Sequence, residues 1–112
     1  MTLEHRAQLV MLYDLYGGLL TEKQQDVFDL YHQCDLSLGE IAAEQNISRP
    51  AVHDLIKRTE HLLEKYEEKL HLAEREMERR NLLEKLADAV EGNEEALAIL
   101  KQLGLVPDYS HN

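Results

Sequence analysis

The sequence predicts an all-α fold, and three observations carry that reading. Only five Gly and two Pro interrupt 112 residues that contain no Trp, and Leu, Glu, Ala, Lys and Gln, all good helix formers, dominate the rest. Apolar residues recur at steps of three and four over most of the length, the period of a helix that buries one face. Hydroxyl residues followed three positions later by Glu or Gln stand before two of these runs, which is the pattern of a capping box at a helix start.

In chain order, Leu3, Ala7, Val10, Met11 and Leu15 mark a first helix. It is expected to end near Tyr16, where Gly17-Gly18 offers residues that tolerate left-handed backbone. Thr21-Glu22-Lys23-Gln24 opens a second helix over about Glu22 to Gln33, with Val27, Phe28, Leu30 and Tyr31 on its apolar side. Ser37-Leu38-Gly39-Glu40 opens a two-turn third helix carrying Ile41 and Ala42 and closed by Asn46. Ser48 caps a fourth, whose early Pro50 is tolerated because the first helical amides have no internal partner.

From Val52 the apolar positions run through Leu55 or Ile56, Thr59, Leu62 or Leu63, Tyr66, Leu70, Ala73 and Met77. That rhythm predicts one long helix with a packed seam, breaking near Asn81. The seam either packs on its own domain or joins two copies. Leu82, Leu83, Leu86, Ala87 and Val90 resume the pattern until Gly92-Asn93, and a last helix runs over about Glu94 to Leu103. Gly104, Leu105 and Pro107 read as a cap and stop, with a frayed tail from Asp108 to Asn112. The organisation expected is a helical domain over 1–70 and a charged helical extension over 71–112.

Charge and composition narrow the function. With 22 acidic residues against 12 basic ones, the net charge of -10 repels phosphate unless cations are gathered locally. One cysteine, Cys34, excludes an intramolecular disulfide framework, and it is read as a small buried filler in a reduced, cytoplasmic setting. No apolar run nears the roughly 20 residues of a membrane span, and the start lacks the basic-then-apolar order of a secretion signal. His32-Gln33-Cys34 has no companion pair for a zinc site. His53, His61 and His71 have no neighbouring nucleophile, and no glycine-rich phosphate loop is present. An enzyme and a bound cofactor are therefore not expected. Tyr13, Tyr16, Tyr31 and Tyr66 fall at helical positions suited to core and seam.

Residues 38–58 carry the functional signal. Two helices joined by a short turn, with small Ala42 at the crossing, Asn46 at the positive-φ position and Ile47, Val52 and Leu55 turned inwards, make a helix-turn-helix. Its second helix presents Ser48, Arg49, Pro50, His53, Lys57 and Arg58 as candidate nucleic-acid contacts. Arg49, His53 and Lys57, four residues apart, form one basic stripe, with Asp54 inside it.

These residues resemble a known family. Leu12-Tyr13-Asp14-Leu15-Tyr16-Gly17-Gly18-Leu19-Leu20-Thr21-Glu22-Lys23-Gln24, then Asp35 to Ala42, then Ile47-Ser48-Arg49 with Ala51 to Arg58, look like the YlxM family of small Gram-positive bacterial proteins. The likeness covers about Ala7 to Tyr66. That family is similar in turn to region 4 of bacterial sigma factors. The resemblance implies a sigma-region-4-like bundle, a regulatory role in binding DNA or RNA, and a link to the signal recognition particle (SRP) pathway through gene neighbourhood. Its implied partners are nucleic acid, including the particle's RNA, and the SRP GTPase. Pro50 departs from the polar residue expected after Ser-Arg and removes one base or phosphate contact. A homodimer through the long helix and the extension is also expected. The rival reading is a protein-interaction module that modulates the GTPase without touching nucleic acid.

Overall fold

The computed structural model describes residues 2–104. Those residues form six α-helices and no strands: α1 Leu3–Tyr16, α2 Glu22–Phe28, α3 Leu38–Gln45, α4 Arg49–Leu70, α5 Leu72–Ala89 and α6 Glu94–Gln102. The chain divides into two compact units, the first ending at Ala73 and the second beginning at Glu74. The expected cap at Leu105 and Pro107 and the frayed tail lie outside the described residues.

Side chains start most of these helices. Thr21 Oγ1 accepts from the Gln24 amide at 3.2 Å while Gln24 Oε1 accepts from the Thr21 amide at 2.9 Å. Ser37 and Glu40 repeat this reciprocal box at the head of α3. Two otherwise orphaned amides are satisfied at each start. Thr2, Ser48 and Asn93 cap α1, α4 and α6 singly.

The face of α1 differs from the expected one. Leu9, Leu12 and Tyr16 are buried, whereas Leu3 is 84% exposed and Leu15 lies at the surface. Apolar residues stand all round α1, so periodicity alone does not select the buried side; the position of α4 does. Gly17-Gly18 also acts differently from expectation. Gly17 has a right-handed φ of -55° in a tight turn, Gly17–Leu19, and neither glycine has positive φ. A Cβ on Gly17 would sit 3.2 Å from the Tyr13 ring, so close approach is what this position requires.

Helix two reaches Gln33 as expected, but its last turn, Asp29–Gln33, is a π-helix. The extra residue in that turn rotates His32 into the interior and leaves Cys34 exposed. Cys34 is therefore not the buried filler that composition suggested.

Two apolar clusters share α4 as their common wall. Leu9, Leu12, Tyr16, Leu20, Phe28, Leu63 and Ala73 form one, with Tyr13 stacked on Phe28 at 4.3 Å between ring centroids. Val27, Ile41, Val52 and Ile56 form the other, supported by Ala42, Ile47 and Leu55. Of the alternative seam positions, Ile56 and Leu63 are the buried ones.

The long helix breaks ten residues earlier than the expected Asn81, at His71, which adopts φ 57° and ψ 30°. Left-handed backbone costs a residue with a Cβ about 1–2 kcal/mol. Tertiary bonds offset it. The Tyr16 hydroxyl donates to Glu67 Oε1 at 2.6 Å and accepts from the Leu72 amide at 3.0 Å, and Glu67 Oε1 accepts from the Ala73 amide at 2.9 Å. Tyr16, far off in sequence, thus caps the start of α5. Burial, then the bond to Glu67, raises its phenol pKa, outweighing the opposing bond from Leu72. The second unit turns at Gly92, φ 86°.

Candidate nucleic-acid interface

Helix α3, the turn Asn46-Ile47-Ser48 and the N-terminal half of α4 make the helix-turn-helix. Asn46 has φ 58° and ψ 43°, and its side chain makes left-handed backbone cheaper than for most residues. Ile41 and Val52 are fully buried across the crossing, which fixes the angle between the helices and holds the opposite side of α4 outward.

The six candidate contacts all lie at the surface, but they are not equally free. Ser48 Oγ accepts from the Ala51 amide at 3.2 Å. Pro50 has no amide to offer. The amide of Arg49 is then the one among the first three helical positions that neither the cap nor the proline removes, so this helix start offers a phosphate fewer donors than most. Arg49 and His53 are exposed on the stripe. Arg58 Nε lies 3.3 Å from Asp54 Oδ2, and Lys57 Nζ lies 3.7 Å from Glu60 Oε1. Both cations stay reachable, with side chains 75% and 52% exposed, but each must leave or share a carboxylate to meet phosphate.

Sequence reasoning missed what lies behind Lys57. His32 Nε2 and Glu60 Oε2 are 3.0 Å apart, with side-chain exposures of 0% and 7%. Among the described residues, His32 Nδ1 is a buried polar atom without a hydrogen-bond partner. The distance fits Nε2–H donating to the carboxylate. Burial opposes ionisation of Glu60, yet the hydrogen bond from His32 and the fields of Lys57, His32 and His5 together hold its pKa below the ordinary carboxylate value. No local signal marks the pair: a π turn must rotate His32 inward, and the two residues are 28 positions apart.

Comparison with known proteins bears on the same segment. A family profile described as "Putative helix-turn-helix protein, YlxM / p13 like" matches residues 3–103. The chain belongs to this family. A UPF0122 protein of Bacillus pumilus is 48% identical over 106 residues, 92% of this chain and 96% of the relative. The UPF0122 protein YlxM of Bacillus subtilis strain 168 is 47% identical over 95 residues, 85% of this chain and 86% of its own length. A UPF0122 protein of Bacillus cereus strain Q1 is 46% identical, covering 90% of this chain and 92% of the relative. The match extends beyond the resemblance at Ala7 to Tyr66 and takes α5 and α6 of this YlxM/p13-like chain into the family. No helix among the described residues is long and apolar enough to cross a membrane.

Proposed function

We propose that this YlxM/p13-like chain is a non-enzymatic, cytoplasmic regulatory protein that binds nucleic acid through Ser48, Arg49, Pro50, His53, Lys57 and Arg58. The observation that carries the reading is the packed α3–turn–α4 crossing, which leaves Arg49 and His53 exposed along one edge of α4. Its ligand is duplex DNA or the structured RNA of the SRP, and it acts in that pathway beside the GTPase. The family resemblance is the support for the pathway. The protein works as a homodimer, so two such helices are presented together.

Titration with a DNA duplex and with SRP RNA at several salt concentrations tests the reading. Binding that weakens with salt, and a shallower salt slope in the Arg49→Ala/Lys57→Ala double variant, support it. Unchanged affinity in the folded double variant removes these residues from the site.

A second reading has its own observation. The net charge is -10, and two of the cations already face carboxylates. A protein-interaction module acting on the GTPase fits these facts. Capture of the GTPase at moderate salt without any shift of nucleic acid decides for it, and copurification with and without nuclease separates the two in cell extract.

A further inference from the structure

The second unit leaves much of its apolar surface uncovered. Among its described residues Leu100 is the large apolar side chain that is buried, whereas Leu82 is 65% exposed and Leu86, Ile99 and Leu103 are about half exposed. Leu86, Val90, Ala96, Ile99, Leu100 and Leu103 line an open hollow of about 150 Å³. A helical pair below roughly 40 residues seldom buries enough of itself to be stable alone. The seam of α4 offers no alternative surface for pairing, because Val52, Ile56, Thr59 and Leu63 are already enclosed in the first unit.

Charge along this face is ordered. At about 100° per residue, Arg75, Arg79, Leu82 and Leu86 fall within about 60° of one another on α5, and Val90 follows at its end. Arg75 and Arg79, flanked by Glu78, stand at its beginning, leucines in the middle, and Glu91, Glu94 and Glu95 fall at the turn into α6. Arg79 is held by Glu76 at 3.0 Å and by the Leu103 carbonyl, which fixes α6 against α5. Arg75 stands exposed one turn earlier.

We infer that this face seats the same face of a second copy, with the two α5 helices antiparallel about a two-fold axis near Leu82. Arg75 of each copy then lies opposite Glu91 and Glu95 of the other, and the leucines close over both hollows. A face that is positive at one end and negative at the other is self-complementary in this orientation and self-repelling in the parallel one. The inference rests on the homodimer proposed above and names its surface.

Light scattering on the full chain at tens of micromolar tests it. The wild type is expected to weigh two chains. Leu82→Glu is expected to weigh one, 13.0 kDa, with the helical circular dichroism of the first unit retained. Arg75→Glu and the double variant Glu91→Arg/Glu95→Arg are each expected to be monomeric alone and to form a two-chain species when mixed, since every contact between position 75 of one copy and positions 91 and 95 of the other is then again between opposite charges. A wild type that stays monomeric overturns both the homodimer and this face. A dimer that survives in Leu82→Glu or in either charge variant, or a mixture that fails to reassociate, overturns the face alone.

Discussion

His32 Nε2 meets Glu60 Oε2 at 3.0 Å inside the first unit, and the other oxygen of the same carboxylate holds Lys57 at 3.7 Å on the surface. One buried acid therefore serves the packing of the π turn Asp29–Gln33 on α4 and the charge of the candidate interface at once. Removing one partner of such a pair leaves an uncompensated buried group and costs about 3–5 kcal/mol. His32→Leu is expected to destabilise by that order in urea unfolding, and a His32→Leu/Glu60→Leu double variant to recover part of the loss. Equal stability of His32→Leu and wild type would show that the pair contributes nothing.

The pH dependence has a defined sign. Glu60 is held below the ordinary value of 4.5 by His32, Lys57 and His5 despite its burial, and Glu40 is lowered by its bonds to Ser37. Unfolding then takes up protons, so the contribution is fully present above about pH 4.5 and is lost as pH falls through the folded-state values. Wild-type stability is expected to fall more steeply below pH 4.5 than that of Glu60→Gln. Parallel curves would contradict the assignment.

Asp54 occupies Arg58 at 3.3 Å on an exposed helix face, where such a pair adds little stability. Asp54→Asn is expected to shift the melting temperature by no more than about 2–4 °C, on the order of 0.5 kcal/mol, and to strengthen nucleic-acid binding severalfold with a steeper salt slope. Weaker binding by the folded variant would argue that Asp54 positions Arg58 instead of competing for it.

Asn46 holds left-handed backbone between the two helices of the motif. Asn46→Gly is expected to change stability little, and Asn46→Val to cost about 1–2 kcal/mol by strain. Differential scanning calorimetry of both checks the turn; equal melting temperatures would mean that the turn relaxes without penalty.

Tyr16→Phe removes the hydroxyl that accepts from the Leu72 amide. The expected cost is about 1–2 kcal/mol, accompanied by faster amide exchange at Leu72 and Ala73. Unchanged exchange at those two amides would place the cap of α5 elsewhere.

The sequence by itself determined the helices wherever a local rule acts within a few residues. Thr21 with Gln24, Ser37 with Glu40 and the left-handed Asn46 are contacts between near neighbours, so spacing alone reveals them. The six candidate contacts were legible as a surface for the same reason, since each follows from its distance along α4 to the inward Val52 and Ile56. Only the tertiary structure decided which face of α1 is buried, where the long helix ends, and what stands behind Lys57. Leu9 and Leu12 face inwards because α4 lies there, His71 turns because Tyr16 and Glu67 receive the next amides, and His32 finds Glu60 through a π turn. Each of these depends on groups brought together from distant positions, and the free energy that selects them exists only once the helices have packed.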